Sequence, residues 1–215
     1  VIEGLFPPPV VGVEATDADW TGALLPEEED RVRGATDKRR REFTAGRRCA
    51  RQALARLGLA PAPLLPGPDR VPVWPEGAVG SISHTRGFCA AVVARSDAVR
   101  SLGLDAERAG PLDARLVRRV LTPAERTRFA GRPPPAGADW AKLAFSAKEA
   151  VYKCYYPLVR RALGFHDLEL DFEPQVGRFS ALLIRDAAPS AAGRRVFAGR
   201  FSVAGGYVLT GVTLA

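Results

Sequence analysis

Methionine is missing from the chain altogether, even at position 1, which points to a trimmed start. Histidine is nearly missing: His84 and His166 are the only two, and with dispersed cysteines they make no credible zinc site. Cysteine is sparse too. Cys49, Cys89 and Cys154 are odd in number and never closely paired, which argues against a disulfide framework and fits reduced thiols in a cytoplasm. No apolar run approaches the roughly 20 residues that a membrane-spanning helix needs. The first residues carry Pro7, Pro8 and Pro9 where a secretory leader would carry a basic region. A soluble, cytoplasmic protein is expected. Also absent are a Walker loop, a Rossmann glycine fingerprint and a Gly-x-Ser-x-Gly elbow, which disfavours the ordinary nucleotide folds and serine hydrolases.

What remains is a chain of 215 residues, 47% hydrophobic, long enough for one large domain or two small ones. Its formal charge of +7 comes from arginine more than lysine, which suits phosphate or acidic partners, although a GC-rich genome yields the same composition without any function.

Asp37 to Leu57 reads as a basic amphipathic helix, with Phe43, Ala50, Leu54 and Leu57 at helical spacing. Pro61 to Pro75 cannot be regular helix. Cys89 to Ala94 and Val99 to Leu104 read as strands joined by Arg95-Ser96-Asp97, and a hairpin is expected. Pro111 to Phe129 is helical in pattern, with Thr122-Pro123-Ala124-Glu125 as a new helix start. Trp140 to Val159 is the strongest helix, expected to end or bend at Pro157. Leu168 to Ala215 is strand-like and closes with a hairpin about Gly205-Gly206. Phe43-Thr44-Ala45 and Phe145-Ser146-Ala147 open two helix-then-hairpin units, so a duplicated unit is one reading, in which Arg47 matches Glu149 and Arg51 matches Lys153.

Asp105 and Glu107 lie two apart at the end of a strand, so both carboxylates point to one side. Such a pair suits Mg²⁺ against phosphate, but a solvated loop has the same pattern. Glu149 and Lys153 share a helix face at four-residue spacing, as a surface ion pair would, or as a metal ligand or base beside a phosphate-neutralising lysine together with Lys148. Ser83 and His84 sit just before a strand and could donate to phosphate from a loop. Lys38 to Arg41 with Arg47 and Arg48 form a cationic face that would also serve nucleic acid.

Taken in order, the basic helix, Trp74-Pro75, Gly80-Ser81-Ile82-Ser83-His84, Gly103-Leu104-Asp105-Ala106-Glu107 and Phe145 to Lys153 resemble the surfactin- and enterobactin-type 4'-phosphopantetheinyl transferases, in an actinobacterial form. The resemblance runs from about Lys38 to Phe165. It implies an α+β fold of two similar halves related by pseudo-two-fold symmetry, residues 1–102 and 103–215, with coenzyme A between them. By this likeness Asp105, Glu107 and Glu149 bind Mg²⁺, with Mn²⁺ an alternative, and Lys148 and Lys153 offset the pyrophosphate charge. Arg39, Arg47 and His84 match positions that hold the 3'-phosphate, with Ser83 beside them. Family members often carry a basic residue next to the glycine that follows the first helix. Here Pro66 precedes Gly67, and Arg70 is the candidate substitute. The implied reaction is attack of a carrier serine on coenzyme A, with Glu149 as general base and Glu125 as second candidate. The implied partner is an acidic, helical apo acyl or peptidyl carrier protein, docking around Pro111 to Arg132 and Tyr155 to Leu163. A monomer without nucleic acid is expected. Two rivals are a nucleic-acid module on the basic helix and a coenzyme A binding protein without turnover.

Overall fold

The computed structural model describes residues 2, 4–135, 138–184 and 195–215. Its architecture is α+β, two antiparallel sheets each covered by one long helix. β1 (Val11–Glu14), β2 (Ala78–Thr85) and β3 (Phe88–Arg95) form the first sheet in the order β1-β3-β2. The second has the order β4-β8-β7-β6-β5, from β4 (Ser101–Arg108), β5 (Leu168–Glu173), β6 (Arg178–Leu183), β7 (Val196–Ala204) and β8 (Tyr207–Leu214).

Between β1 and β2 run α1 (Pro26–Val32) and the 20-residue α2 (Asp37–Arg56). Thr36 caps α2, its hydroxyl accepting from the Arg39 N–H at 3.3 Å. The helix buries Cys49, Ala50, Ala53 and Leu54 against Val13, Ala91 and Val93 of the first sheet. α3 (Ala114–Val120), α4 (Pro123–Phe129) and α5 (Trp140–Val159) follow β4. Thr122 and Glu125 cap α4 reciprocally, as the sequence suggested. Leu143, Ala147, Val151 and Cys154 of α5 are wholly buried over the second sheet. The helix carries Pro157 inside it and runs two residues further, to a left-handed C-cap at Arg160.

The expected hairpin of residues 89–104 does not form. Both edges of β3 are already taken by β1 and β2, and β4 pairs instead with β8, Asp105 opposite Thr210. The stretch expected to be a loop ahead of a strand is itself β2. Its alternation was concealed because the buried face carries Ser81 and Ser83 instead of apolar residues.

Those two serines join the sheets. The Leu104 N–H donates to Ser81 Oγ at 3.0 Å and the Ala106 N–H to Ser83 Oγ at 3.1 Å, so hydroxyls stand where a neighbouring strand would offer carbonyls. One apolar cluster spans the seam, with Ala90, Val92 and Ala94 of β3 packed with Leu102, Leu104 and Ala106 of β4 and with Ile2 and Leu5. The N-terminal segment thus contributes to the joint between the sheets.

Candidate active site

Gly103 explains how the site is assembled. A Cβ at this position would lie 1.9 Å from the Ala150 carbonyl oxygen, so only glycine lets α5 approach β4 this closely. The Ser101 hydroxyl fixes the same approach, donating to the Cys154 carbonyl at 2.6 Å. Glu149 and Lys153 of α5 are thereby brought beside Asp105 of β4. The Lys153 ammonium donates to Asp105 Oδ1 at 2.8 Å, to the Leu104 carbonyl at 3.0 Å and to Ser83 Oγ at 3.1 Å.

Asp105 Oδ1 also accepts from the Ser83 hydroxyl at 3.3 Å, whereas Oδ2 is buried with no hydrogen-bond partner. Such an oxygen has a desolvation cost and no compensation. Burial, and then the charge of Asp105, push the carboxyls of both Glu107 and Glu149 above the usual carboxylate range. The three predicted ligands therefore share one neighbourhood. Among the described residues, however, no three His, Cys, Asp or Glu side chains converge as a ready-made metal cluster.

From Lys153 a cleft of about 600 Å³ opens along the seam, lined by Arg39, Glu42, Arg47, Arg70, His84 and Tyr156 among others. Four of the residues assigned to coenzyme A from sequence, together with Lys153, thus meet in one concavity. Arg47 is 7% exposed and lies over the Phe43 ring, its Cζ 4.1 Å from the centroid. Burial pulls its guanidinium down to about 10. Burial also lowers His84, and the cations of Arg39, Lys153 and Lys38 outnumber the one opposing charge, Glu42. A neutral imidazole N–H among cations can still donate to an anion. Arg70 lines the same cleft with φ 67°, a left-handed conformation uncommon outside glycine and asparagine. The loop it occupies is tied to α5 by an ion pair between Asp69 and Arg160.

Three predicted site residues have other roles. Glu125 is fully buried and saturated: Oε2 accepts from the Thr122 N–H and from Lys148 Nζ at 2.7 Å, and Oε1 from the Leu170 N–H. Lys148 spends its remaining donors on the Val120 and Phe165 carbonyls. The pair braces α4, α5 and β5, and these hydrogen bonds occupy the groups to which the sequence assigns a base role at Glu125 and a phosphate role at Lys148. Ser83, expected to touch coenzyme A, is the buried junction of Asp105, Lys153 and the seam.

Sequence reasoning missed Lys142, whose ammonium stands 3.4 Å from Glu107 Oε2. Its signal was a position two helical turns before Glu149 on the same face of α5. It also missed the N-terminal acids that occupy the basic helix. Arg40 pairs with Glu29, Arg48 with Asp19 and Arg51 with Glu28. Part of the charge suggestive of nucleic acid, at Arg40 and Arg48, is thus paired within the molecule.

The class this site defines is confirmed by comparison. The 4'-phosphopantetheinyl transferase N-terminal domain profile matches residues 27–94, and that of the 4'-phosphopantetheinyl transferase superfamily matches residues 101–210. The chain is 45% identical over 207 residues to the 4'-phosphopantetheinyl transferase Svp of Streptomyces mobaraensis, covering 93% of this chain and 83% of that protein. It is 44% identical over 195 residues to the 4'-phosphopantetheinyl transferase PptT of Mycobacterium tuberculosis, covering 88% and 86%. Enterobactin synthase component D of Salmonella typhi is 33% identical over 161 residues, covering 70% and 65%. The chain belongs to the 4'-phosphopantetheinyl transferase superfamily, enzymes that move the phosphopantetheine arm of coenzyme A onto carrier proteins.

Proposed function

We propose that this chain is a holo-acyl-carrier-protein synthase type of transferase, delivering 4'-phosphopantetheine to a serine of an apo acyl or peptidyl carrier protein and releasing 3',5'-ADP. One observation carries the reading: a cleft lined by Arg39, Arg47 and His84 runs to Lys153, where Asp105 holds a buried oxygen with no partner. The first half, residues 1–102, would grip the nucleotide end, and the second, 103–215, would carry the chemistry.

A divalent cation fits this acid set. The bare Asp105 Oδ2 and the crowding of Glu107 and Glu149 both favour positive charge here. Mg²⁺ binds through few carboxylates and fills its shell with water and phosphate oxygens, so an open set suits it, and Mn²⁺ is compatible. Asp105, Glu107 and Glu149 would hold it. When bound, it would offset charge building on the pyrophosphate.

The protein's own residues account for the rest. Arg39, Arg47 and His84 would bind the 3'-phosphate, with Arg70 over the base. The carrier serine hydroxyl would form a bond to the β-phosphorus while its proton passes to Glu149, which is half-buried beside Asp105 and Lys153. As the bond to the ADP oxygen breaks, the Lys153 ammonium would stabilise the leaving charge. Exposed Arg115, Arg118 and Arg119 on α3 suit an acidic helical carrier. Acting as a monomer in the cytoplasm completes the reading.

The test is release of 3',5'-ADP from coenzyme A, followed by chromatography with an apo carrier, with and without a chelator. Carrier- and metal-dependent release supports the proposal. Coenzyme A binding without release would reduce the chain to a binding protein.

A further inference from the structure

Glu28 is a carboxylate with no solvent exposure, on the seven-residue α1, whose last residues Arg31 and Val32 line the cleft. Burying a carboxylate is costly unless donors surround it, and three do. Oε1 accepts from the Leu64 N–H at 3.0 Å, and Oε2 accepts from the Leu25 N–H at 3.1 Å and from the Arg51 guanidinium. Leu64 is itself wholly buried, and its carbonyl accepts from Arg47 Nε at 2.6 Å. A single peptide unit apart, then, Glu28 and Arg47 hold the two polar groups of one residue.

That residue opens the loop whose residues Pro66 and Asp69 to Pro72 line the cleft. Directly after Leu64, the Leu65 carbonyl accepts from the Val73 N–H, and Pro66 bridges to Pro72, closing a small hairpin that presents Asp69 and Arg70 to the cleft. A stretch with Pro61, Pro63, Pro66, Pro68, Pro72 and Pro75 has few N–H groups with which to anchor itself. The Leu64 N–H is one of them, and Glu28 takes it.

We propose that Glu28 is a positioning residue for the nucleotide end of the site: through Leu64 it sets both the loop wall and the direction of Arg47 into the cleft. This rests on the reading that Arg47 holds the 3'-phosphate of coenzyme A. Charge supports the geometry. Arg47 has Arg39 and Arg51 as repelling neighbours, and Glu28 is the strongest opposing charge holding its guanidinium protonated. In this arrangement Glu28 balances two arginines one helical turn apart that would otherwise repel.

The experiment compares coenzyme A with 3'-dephospho-coenzyme A as substrates for the intact protein, its Glu28→Gln variant and an Arg47→Ala control. Glu28→Gln keeps an oxygen for Leu64 and removes the charge. It is expected to raise KM for coenzyme A about fivefold, with little change for the dephospho substrate, the carrier KM or kcat, so that discrimination between the two coenzymes shrinks. A merely structural Glu28 would lower stability and kcat and leave discrimination intact. Arg51→Lys, a milder change to the same network, is expected to shift discrimination in the same direction and keeps the test decisive if Glu28→Gln does not fold. Lost discrimination in Arg47→Ala but full discrimination in the folded Glu28 or Arg51 variant overturns the proposal. Full discrimination in Arg47→Ala overturns instead the 3'-phosphate assignment on which it rests.

Discussion

The two oxygens of Asp105 have different surroundings, one held by Lys153 and Ser83, the other bare. Asp105→Asn keeps the size and loses the charge, so transfer should fall about 100-fold while the protein stays folded, as parallel thermal melts and turnover assays would show. The buried pair of Glu125 and Lys148 should behave in the opposite way. Glu125→Ala leaves an ammonium without its carboxylate in the core, and urea denaturation should record a loss of about 3 kcal/mol. Residual activity should then follow the folded fraction. This difference was beyond the sequence, because Glu125 and Lys148 stand 23 positions apart and a linear reading cannot tell which acid faces a cleft and which faces a lysine. The common side of Asp105 and Glu107 could be read from their spacing on a strand, whereas Glu149 comes beside Asp105 through the close approach of α5 at Gly103.

Among the elements, the long helices announced themselves through periodicity, and α2 and α5 lie where the runs from Asp37 and Trp140 placed them. Strand pairing did not, because which edge β4 seeks depends on β8, more than 90 residues away. β2 stayed hidden because its buried serines serve the seam instead of a core. The contact between α5 and β4 gives a sharp prediction. Gly103→Ala would drive a methyl into the Ala150 carbonyl, and denaturant titration should show about 3 kcal/mol of destabilisation. Transfer should be lost as Glu149 and Lys153 withdraw from Asp105. The basic character of α2 was plain in the sequence, but its destination was not: acids from residues 19 to 29 meet Arg40, Arg48 and Arg51. A gel-shift titration with duplex DNA should therefore show only weak binding that vanishes at physiological salt.

In the whole molecule, two sheets meet along a line of serine hydroxyls, and the cleft on that line belongs to neither sheet alone. The ion pair of Asp69 with Arg160 crosses it from the proline-rich loop to the end of α5. Asp69→Ala should leave the melting temperature nearly unchanged and speed coenzyme A dissociation by about threefold, readable by stopped-flow displacement. No described helix is long and apolar enough to cross a membrane, and the described cysteines are free and buried. The central claim is that this cleft and its carboxylates move phosphopantetheine onto a carrier serine. Intact mass spectrometry of an apo carrier protein incubated with the protein, coenzyme A and Mg²⁺ tests it most directly. The carrier is expected to gain one phosphopantetheine, a gain that disappears with Asp105→Ala and without metal; an unchanged carrier mass across acyl and peptidyl carriers, or a gain indifferent to Asp105, would overturn the assignment.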